Sequence, residues 1–378
     1  MDLRNDGNVF NIRRRLMKYK NVILLAFLAI LIATFIAVGI TIIITFTSKR
    51  KPDTHDEIVE VTTTRKQILE IPKCISHEGS TTNLLDRANC ILSSYPLIDG
   101  HNGIAWKYWE STNNRVNFAN LKTDIPRLRI GKIGAQFWAC YVDCISQYKD
   151  AVSRSLNQLD TIKRFINKYP DVFQFVTTAQ GIVTLSGILN AFKGGKIGSL
   201  VGLEGGHSID SSLANLRMFY DLGVRYMTLT HDCSTPWADN WRVDEPNCNQ
   251  TVLNGITEFG KKIILEMNRL GMMVDLSQVS KKTMIDVLNI TKAPVIYSHS
   301  SVFTICPNYR NVQDDVLRMT RKNGGVVMVN FYDKVINCGP SETSVTVLSQ
   351  VADHIDYIRH LIGVDYVGIG ADYDGVPT

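Results

Sequence analysis

The chain has 378 residues, of which 45% are hydrophobic and 20% charged, a balance typical of a folded protein. Its net charge of +5 is concentrated at the start, because residues 1–51 carry nine Lys or Arg and two Asp, a surplus of +7 that leaves −2 for residues 52–378. The main part of the chain therefore has no basic excess for binding nucleic acid, and the positive charge is typical of a membrane flank.

The first segment with a clear pattern is an uncharged apolar run at residues 22–47. It is too long for the core of a signal peptide and long enough to cross a bilayer as a helix. Six basic residues precede it and three follow, which predicts a cytoplasmic N-terminus. We therefore predict a cytoplasmic tail (1–21), a transmembrane signal anchor (22–47) and a polar stalk (48–70). The resulting topology is a type II plasma-membrane protein; an uncleaved signal or a buried helix is the alternative.

An extracellular location for the rest of the chain agrees with its cysteines and sequons. Eight cysteines are present, none in a Cys-x-x-Cys metal pair, and an even count outside the cell favours disulfide bonds. Asn249 and Asn289 each begin an Asn-x-Thr sequon and are candidate glycosylation sites.

Beyond residue 94, short apolar runs alternate with helical patterns, as in a parallel α/β fold. The predicted strands are about 96–101, 131–139, 197–204, 225–231, 272–278, 294–299, 324–331 and 366–372. Six of them end on side chains that can bind a metal or move a proton: His101, Glu204, His231, Gln278, His299 and Asp372. Such a series predicts strand ends converging on one site, as in a (β/α)8 TIM-type barrel.

Helical patterns lie between these strands. Residues 213–222, 259–270 and 347–362 are each followed by glycine, a common helix C-terminal signal. The long interval after the second strand is expected to hold helices at 150–168 and 177–192. The last predicted strand ends at residue 372 and the sequence at 378, so the helix that would cover it is missing. We expect a C-terminally incomplete barrel or another covering element.

From about residue 71 to the end, the sequence resembles the membrane dipeptidase (renal dipeptidase) family of zinc metallopeptidases, whose barrels are of the metallo-dependent hydrolase type. The resemblance rests on several blocks in the same order, and it defines a barrel domain at 71–378. The blocks are Ile98-Asp-Gly-His-Asn102, Leu203-Glu-Gly-Gly-His-Ser-Ile-Asp210, Arg225-Tyr-Met-Thr-Leu-Thr-His231, Thr235-Pro-Trp-Ala-Asp-Asn-Trp241, Ala293-Pro-Val-Ile-Tyr-Ser-His-Ser-Ser301, Arg310-Asn-Val and Gly368-Ile-Gly-Ala-Asp-Tyr-Asp-Gly375.

The resemblance implies a site with two zinc ions bridged by Glu204. One ion would also take His101 and an Asp, but Gly103 stands where that Asp is expected. The other would take two His, of which His299 is present and Gln278 replaces its companion. Glycine offers no ligand, and a neutral amide oxygen is a weak zinc ligand beside imidazole. Each half of the site has therefore lost one ligand.

The residues that the resemblance assigns to substrate handling are all present. His231 and Arg310 would hold the tetrahedral oxyanion and the substrate carboxylate. Asp372 would meet the amino end or shuttle a proton, so Asp372 and His231 are the candidate catalytic residues. Arg suits a carboxylate because it binds bidentately, and a His can stabilise developing negative charge.

The resemblance also pairs cysteines. It implies disulfides between Cys144 and Cys233 and between Cys306 and Cys338. A bond between Cys74 and Cys90 is a guess. His207 is expected to support a ligand rather than to be one. Asp275, inside an apolar strand, should have hydrogen-bond partners.

The sequence thus indicates a membrane-anchored member of a zinc dipeptidase family, whose inherited reaction is dipeptide hydrolysis by a metal-activated water. We expect activity to be weak or lost because of Gly103 and Gln278, which would make the chain a possible pseudoenzyme. The alternatives are a fully active dipeptidase and a non-catalytic ectodomain that binds a ligand or partner. The expected partners are a dipeptide-like molecule, a membrane through the N-terminal helix and, by resemblance, a second copy of the chain.

Overall fold

The computed structural model describes residues 83–110, 121–179, 187–250, 252–338 and 347–376. The predicted cytoplasmic tail, the apolar segment at 22–47, the stalk and Cys74 lie outside these residues. Among the described residues, no helix is both long and apolar enough to cross a membrane.

Nine strands of the described residues form one parallel sheet. They are β1 (Leu97–Asn102), β2 (Ile133–Tyr141), β3 (Phe173–Phe175), β4 (Ile197–Glu204), β5 (Val224–Thr228), β6 (Met273–Asp275), β7 (Ile296–Tyr297), β8 (Val326–Val329) and β9 (Val367–Ile369). β1 pairs with β2 on one side and β9 on the other, and β2 pairs with β4, so eight strands close into a barrel. The predicted (β/α)8 barrel is confirmed to this extent.

Helices connect successive strands around the barrel. Those with described backbones are α1 (Leu84–Ser94), α2 (Ile104–Glu110), α3 (Ile125–Ile130), α4 (Ala151–Lys168), α5 (Ile188–Lys193), α6 (Leu213–Asp221), α7 (Glu258–Leu270), α8 (Lys281–Ile290), α9 (Asp314–Asn323), α10 (Asp333–Ile336) and α11 (Leu348–Ile362). After β9 the described chain continues to residue 376 without a further helix.

The long interval between β2 and β4 differs from the sequence prediction. Helix α4 lies where a helix was expected, but it is followed by an additional strand, β3. β3 pairs with the first three residues of β4, and β5 pairs with later residues of β4. The second expected helix, at 177–192, begins only at Ile188, and Thr178 instead bridges to Gly187. A run of three residues is too short a signal to distinguish a strand from a loop.

Local signals set the helix ends. In α7 the Thr257 side chain accepts a hydrogen bond from the Gly260 N–H and begins the helix. Gly271 ends it with φ at 80°, a left-handed conformation that costs glycine little. Between these ends, Ile263, Ile264 and Met267 are buried against the barrel, because i, i+1 and i+4 share one helix face.

Both disulfides that the family resemblance implied are present. Cys144, in a short turn after β2, is bonded to Cys233 after β5, and Cys306 is bonded to Cys338. Cys90 is also disulfide-bonded, although its guessed partner Cys74 lies outside the described residues. In the described part of the chain, Cys140 and Cys248 are free.

Candidate metal and substrate site

Three potential metal ligands meet at the carboxyl ends of the barrel strands. Glu204 is the last residue of β4, His101 lies in β1 and His299 follows β7. Glu204 Oε2 is 3.3 Å from His101 Nε2, and its Oε1 is 3.7 Å from His299 Nε2. The three ligand atoms all lie within 4.8 Å of one another, and all three residues are buried. Parallel strands of a barrel bring such residues together at one end.

A buried relay fixes the tautomer of His299. Ser298 Oγ lies 2.6 Å from Asp275 Oδ2 and 2.7 Å from His299 Nδ1. The Ser298 hydroxyl has a single hydrogen, and the carboxylate can only accept, so the hydroxyl donates to Asp275. His299 Nδ1–H must then donate to Ser298 Oγ. The lone pair of His299 Nε2 is left facing Glu204, and burial keeps the pKa of His299 well below its usual value.

The pKa of His101 shifts in the opposite direction to that of His299. Its Nδ1 lies 3.0 Å from the Tyr226 hydroxyl, which donates to the Gly100 carbonyl, so the ring donates to the hydroxyl. Burial disfavours the charged ring, but the negative charge and hydrogen bond of Glu204, helped by Asp372, outweigh it and raise the pKa of His101 to about 9. His101 and its histidine neighbours in turn lower the pKa of Glu204 against the effect of burial.

The Gln278 amide lies between two of the three potential ligands. Its Nε2 is 2.9 Å from Glu204 Oε1 and 2.8 Å from His299 Nε2. Both of these atoms are acceptors, so the amide NH2 faces them and the amide oxygen faces away. That oxygen, Oε1, is buried and has no hydrogen-bond partner among the described residues. An amide nitrogen has no free lone pair for a metal ion, so Gln278 does not present a ligand atom in this arrangement.

Gly103 is closely packed against the loop that follows β9. A Cβ atom at Gly103 would lie 2.3 Å from Gly375 Cα and 2.5 Å from Gly375 N, well inside van der Waals contact. The Gly103 N–H also donates to the Tyr373 carbonyl at 2.9 Å. There is no room here for the carboxylate that the family resemblance leads one to expect.

The two-zinc arrangement therefore does not fit this site. One half retains His101 and Glu204, with backbone where a third side chain would stand. The other retains Glu204 and His299, with an N–H donor between them. A catalytic zinc usually has three protein ligands and an open position, and neither half provides them.

The candidate substrate residues surround the same pocket. Arg310 Nη2 is 3.7 Å from Asp372 Oδ2, and His231 Nε2 is 3.5 Å from Glu204 Oε1. They border a cavity of about 250 Å³ that is also lined by Trp106. Burial lowers the pKa of His231 and raises that of Asp372, although His101 and Arg310 oppose the latter shift. The pocket lining thus presents the cations of Arg310 and Lys107 and three carboxylates, those of Glu204, Asp232 and Asp372, to a small zwitterionic ligand.

Some residues of the site were not singled out from the sequence. Asn330 donates from Nδ2 to Asp372 Oδ2 at 3.0 Å and to the His299 carbonyl. It follows the apolar run of β8, so it carries the same strand-end signal as the residues that were chosen. Ser298 and Tyr226 orient the two candidate ligand histidines. A serine next to a histidine is too common a pattern to predict such a role, and Tyr226 lies 125 residues from His101 in the chain.

Two secondary expectations can be compared with the structure. Asp275 is fully buried and accepts hydrogen bonds from Thr228, Ser277 and Ser298, so it has the partners expected of it. His207 lies beside the Cys144–Cys233 disulfide rather than among the strand-end ligands. Its Nε2 bonds to the Val142 carbonyl at 2.9 Å, and burial lowers its pKa to about 4.

Comparison with known proteins settles the family. A sequence profile described as membrane dipeptidase (peptidase family M19) matches residues 85–378. The chain belongs to this family. Its relatives include Dipeptidase 3 of Rattus norvegicus, 43% identical over 302 residues, and Dipeptidase 3 of Homo sapiens, 44% identical over 301. Each alignment covers 78% of this chain and 59% of the relative, so the chain spans about three fifths of the length of these proteins.

Solved structures agree in fold. A metallopeptidase from Rhodobacter sphaeroides, liganded with a phosphinate mimic of the dipeptide L-Ala-D-Ala, superposes with a TM-score of 0.67 at 24% identity. The superposition covers 74% of this chain and 86% of the Rhodobacter sphaeroides chain. The probable dipeptidase PvdM of Pseudomonas aeruginosa superposes with a TM-score of 0.65 at 18% identity, covering 78% and 88%. At these identities the likeness extends to the fold alone.

Proposed function

We propose that this domain binds dipeptides in the strand-end pocket and hydrolyses them weakly or not at all. The observation that carries the proposal is the combination of an intact substrate side with an impaired metal side. His231, Arg310 and Asp372 line the cavity, whereas Gly103 and Gln278 provide no ligand for zinc, the metal that the family resemblance implies.

The charges of the pocket suit the two ends of a dipeptide. The Arg310 guanidinium can bind the terminal carboxylate with two parallel hydrogen bonds, which gives both energy and orientation. Glu204 and Asp372 also line the cavity and can receive the ammonium group. His231, neutral because burial lowers its pKa, can donate or accept at the peptide carbonyl. None of these contacts requires a metal.

Hydrolysis is the step we expect to be impaired. A metallopeptidase needs a bound water whose pKa the metal lowers, held by a complete ligand set. The His101, Glu204 and His299 atoms are close enough for one ion, which favours residual activity at high metal concentration as the second candidate.

Anchoring in the plasma membrane by residues 22–47, with the barrel outside the cell, remains part of the proposal. The uncharged run and its basic flanks support it. A homodimer is proposed from family resemblance only.

Binding and turnover can be measured separately on the purified full chain in detergent. Calorimetric titration would use a panel of small dipeptides and a phosphinate dipeptide mimic, and hydrolysis would be followed with and without chelator. Arg310→Met should weaken dipeptide binding about tenfold or more, because it removes a charge-assisted bidentate contact. Arg318→Met is the matched control, since Arg318 is an exposed arginine on helix α9.

Dipeptide binding that is lost in Arg310→Met and kept in Arg318→Met, together with little turnover, would support the proposal. Absence of binding to the wild-type chain would refute its first part. Robust turnover that a chelator abolishes would refute the second and favour a working dipeptidase.

A further inference from the structure

Gln278 occupies an unusual position for an amide. The atoms around it, Glu204 Oε1 and His299 Nε2, belong to the group of three whose ligand atoms could hold one metal ion. We infer that the Gln278 side chain replaces the ion on that side of the group, holding Glu204 and His299 in place with its two N–H donors. The inference rests on the proposed function, because it explains how the pocket can stay organised for a dipeptide without metal.

The donor and acceptor roles make this assignment specific. A buried carboxylate oxygen can only accept a hydrogen bond. His299 Nε2 can also only accept, because the Ser298–Asp275 relay puts the ring proton on Nδ1. A primary amide supplies two N–H groups from one nitrogen, and both acceptors lie within 2.9 Å of that nitrogen. One amide nitrogen thus satisfies two buried acceptors, as a cation would.

Gln278 adopts this position at a cost. Its backbone has φ at 61°, in the left-handed region that a residue with a side chain rarely adopts. Its amide oxygen is buried and has no partner in the part of the chain that the structure describes. Its backbone is held nevertheless, because the Gln278 carbonyl accepts hydrogen bonds from Thr230 Oγ1 and from the Trp241 N–H. Unfavourable features that the surroundings maintain are typical of functional positions.

The consequence for metal is direct. A divalent ion on this side of the group would have to displace the Gln278 amide from both acceptors. Gln278→Glu keeps the shape of the side chain but replaces two donors with an acceptor, so three acceptors would face one another and require a cation. Gln278→His supplies an imidazole ligand to the same space. Both changes should convert the position from metal-excluding to metal-binding.

The test compares these variants with the wild-type full chain after dialysis against chelator. Bound zinc is counted per chain by elemental analysis after gel filtration, Co²⁺ binding is followed by visible absorption, and melting temperature is measured with metal and with chelator. Gln136→Glu is the matched control. Gln136 is also fully buried in a barrel strand, but its amide donates to two backbone carbonyls and faces no metal-ligand group.

We expect the wild type to melt at the same temperature with metal and with chelator. Gln278→Glu and Gln278→His should each bind zinc and Co²⁺ at least about tenfold more tightly, and metal should raise their melting temperatures. Gln136→Glu should gain no metal. Tight metal binding by the wild type, or no gain in variants that fold, would overturn the inference. If both variants fail to fold, the wild-type metal content and chelator response decide it alone.

The two proposals can fail separately. A metal-free wild type that binds no dipeptide would refute the proposed function and leave the role of Gln278 standing. A wild type that binds dipeptide and also holds tightly bound zinc would refute the role of Gln278 and leave dipeptide binding intact.

Discussion

Asp275 is the residue whose replacement tests the architecture beneath the site most directly. Its Oδ1 accepts from the backbone N–H groups of Ser277 and Ser298, at 3.0 and 2.8 Å. Its Oδ2 accepts from the hydroxyls of Thr228 and Ser298, at 2.5 and 2.6 Å. In Asp275→Asn, the amide oxygen can keep the two backbone donors, but the NH2 group then faces the two hydroxyls. Both hydroxyls must turn, and Ser298 would direct its hydrogen at His299 Nδ1.

The cost follows from these changes. All four hydrogen bonds to this side chain lose the carboxylate charge and become neutral, and the proton of His299 moves to Nε2, opposite the Gln278 N–H. Charge-assisted bonds contribute about 1.5–3 kcal/mol and neutral ones about 1 kcal/mol, so we expect the free energy of unfolding to fall by about 3 kcal/mol. At roughly 2 °C per kcal/mol for a domain of this size, the melting temperature should fall by about 6 °C.

Scanning calorimetry of the wild type, Asp275→Asn and Thr228→Val would measure this. Thr228→Val removes one of the four hydrogen bonds and leaves the carboxylate charge in place, and it should cost about 1.5–3 kcal/mol. Asp275→Asn melting within about 1 °C of the wild type would refute the argument, because the relay could then not be fixing the His299 tautomer.

Two further predictions concern regions outside the pocket. The pKa of His207 is lowered to about 4, so between about pH 6.5 and 4 the unfolded chain binds more protons than the folded one, and stability should fall as pH falls through that window. His207→Asn should flatten that part of a melting-temperature profile, and an unchanged slope would contradict the assignment. Asn249 and Asn289 are exposed, so the chain expressed in a eukaryotic cell should carry glycan at one or both. A loss of mass on deglycosylation would show it. A barrel that added protease cleaves only after the cells are permeabilised would contradict the proposed topology.

The barrel was predictable because its strands are apolar runs that end in polar residues, and each such run is visible in the sequence. The same rule brought His101, Glu204 and His299 together, since parallel strands place their ends at one side of the barrel. It also applies to Asn330, which follows a predicted strand in the same way but was not among the predicted site residues. β3 was missed because three residues do not establish a period of two.

Other features depend on geometry that no local pattern carries. Whether the Gln278 oxygen or nitrogen faces the ligands is decided by the His299 tautomer, and that tautomer is set by Asp275, which lies on another strand. The sequence shows only that an amide replaces an imidazole. Likewise, the sequence shows only that Gly103 lacks a ligand side chain. Its contact with Gly375 involves a loop more than 270 residues away in the chain.

This contact makes the two substitutions in the ligand set unequal. The Gln278 side chain occupies the space that an imidazole would need, so replacing it requires no backbone movement. At Gly103, the space is filled by the backbone of Gly375, whose N–H also donates to the Asp372 carbonyl at 3.2 Å. Gly103→Asp must push this loop outward and move Asp372 with it. We expect it to cost about 1–3 kcal/mol by overpacking, to gain no metal and to weaken dipeptide binding.

Gly103→Ala separates the backbone clash from the added charge, since it introduces only the Cβ atom. It should destabilise the domain in the same direction as Gly103→Asp, measured as a lower melting temperature. If Gly103→Ala is as stable as the wild type, the loop gives way readily, and the lost carboxylate rather than the packing of Gly375 limits metal binding on that side. In that case Gly103→Asp combined with Gln278→His should bind two ions per chain, and otherwise only the Gln278 side of the site should be recoverable by a single substitution.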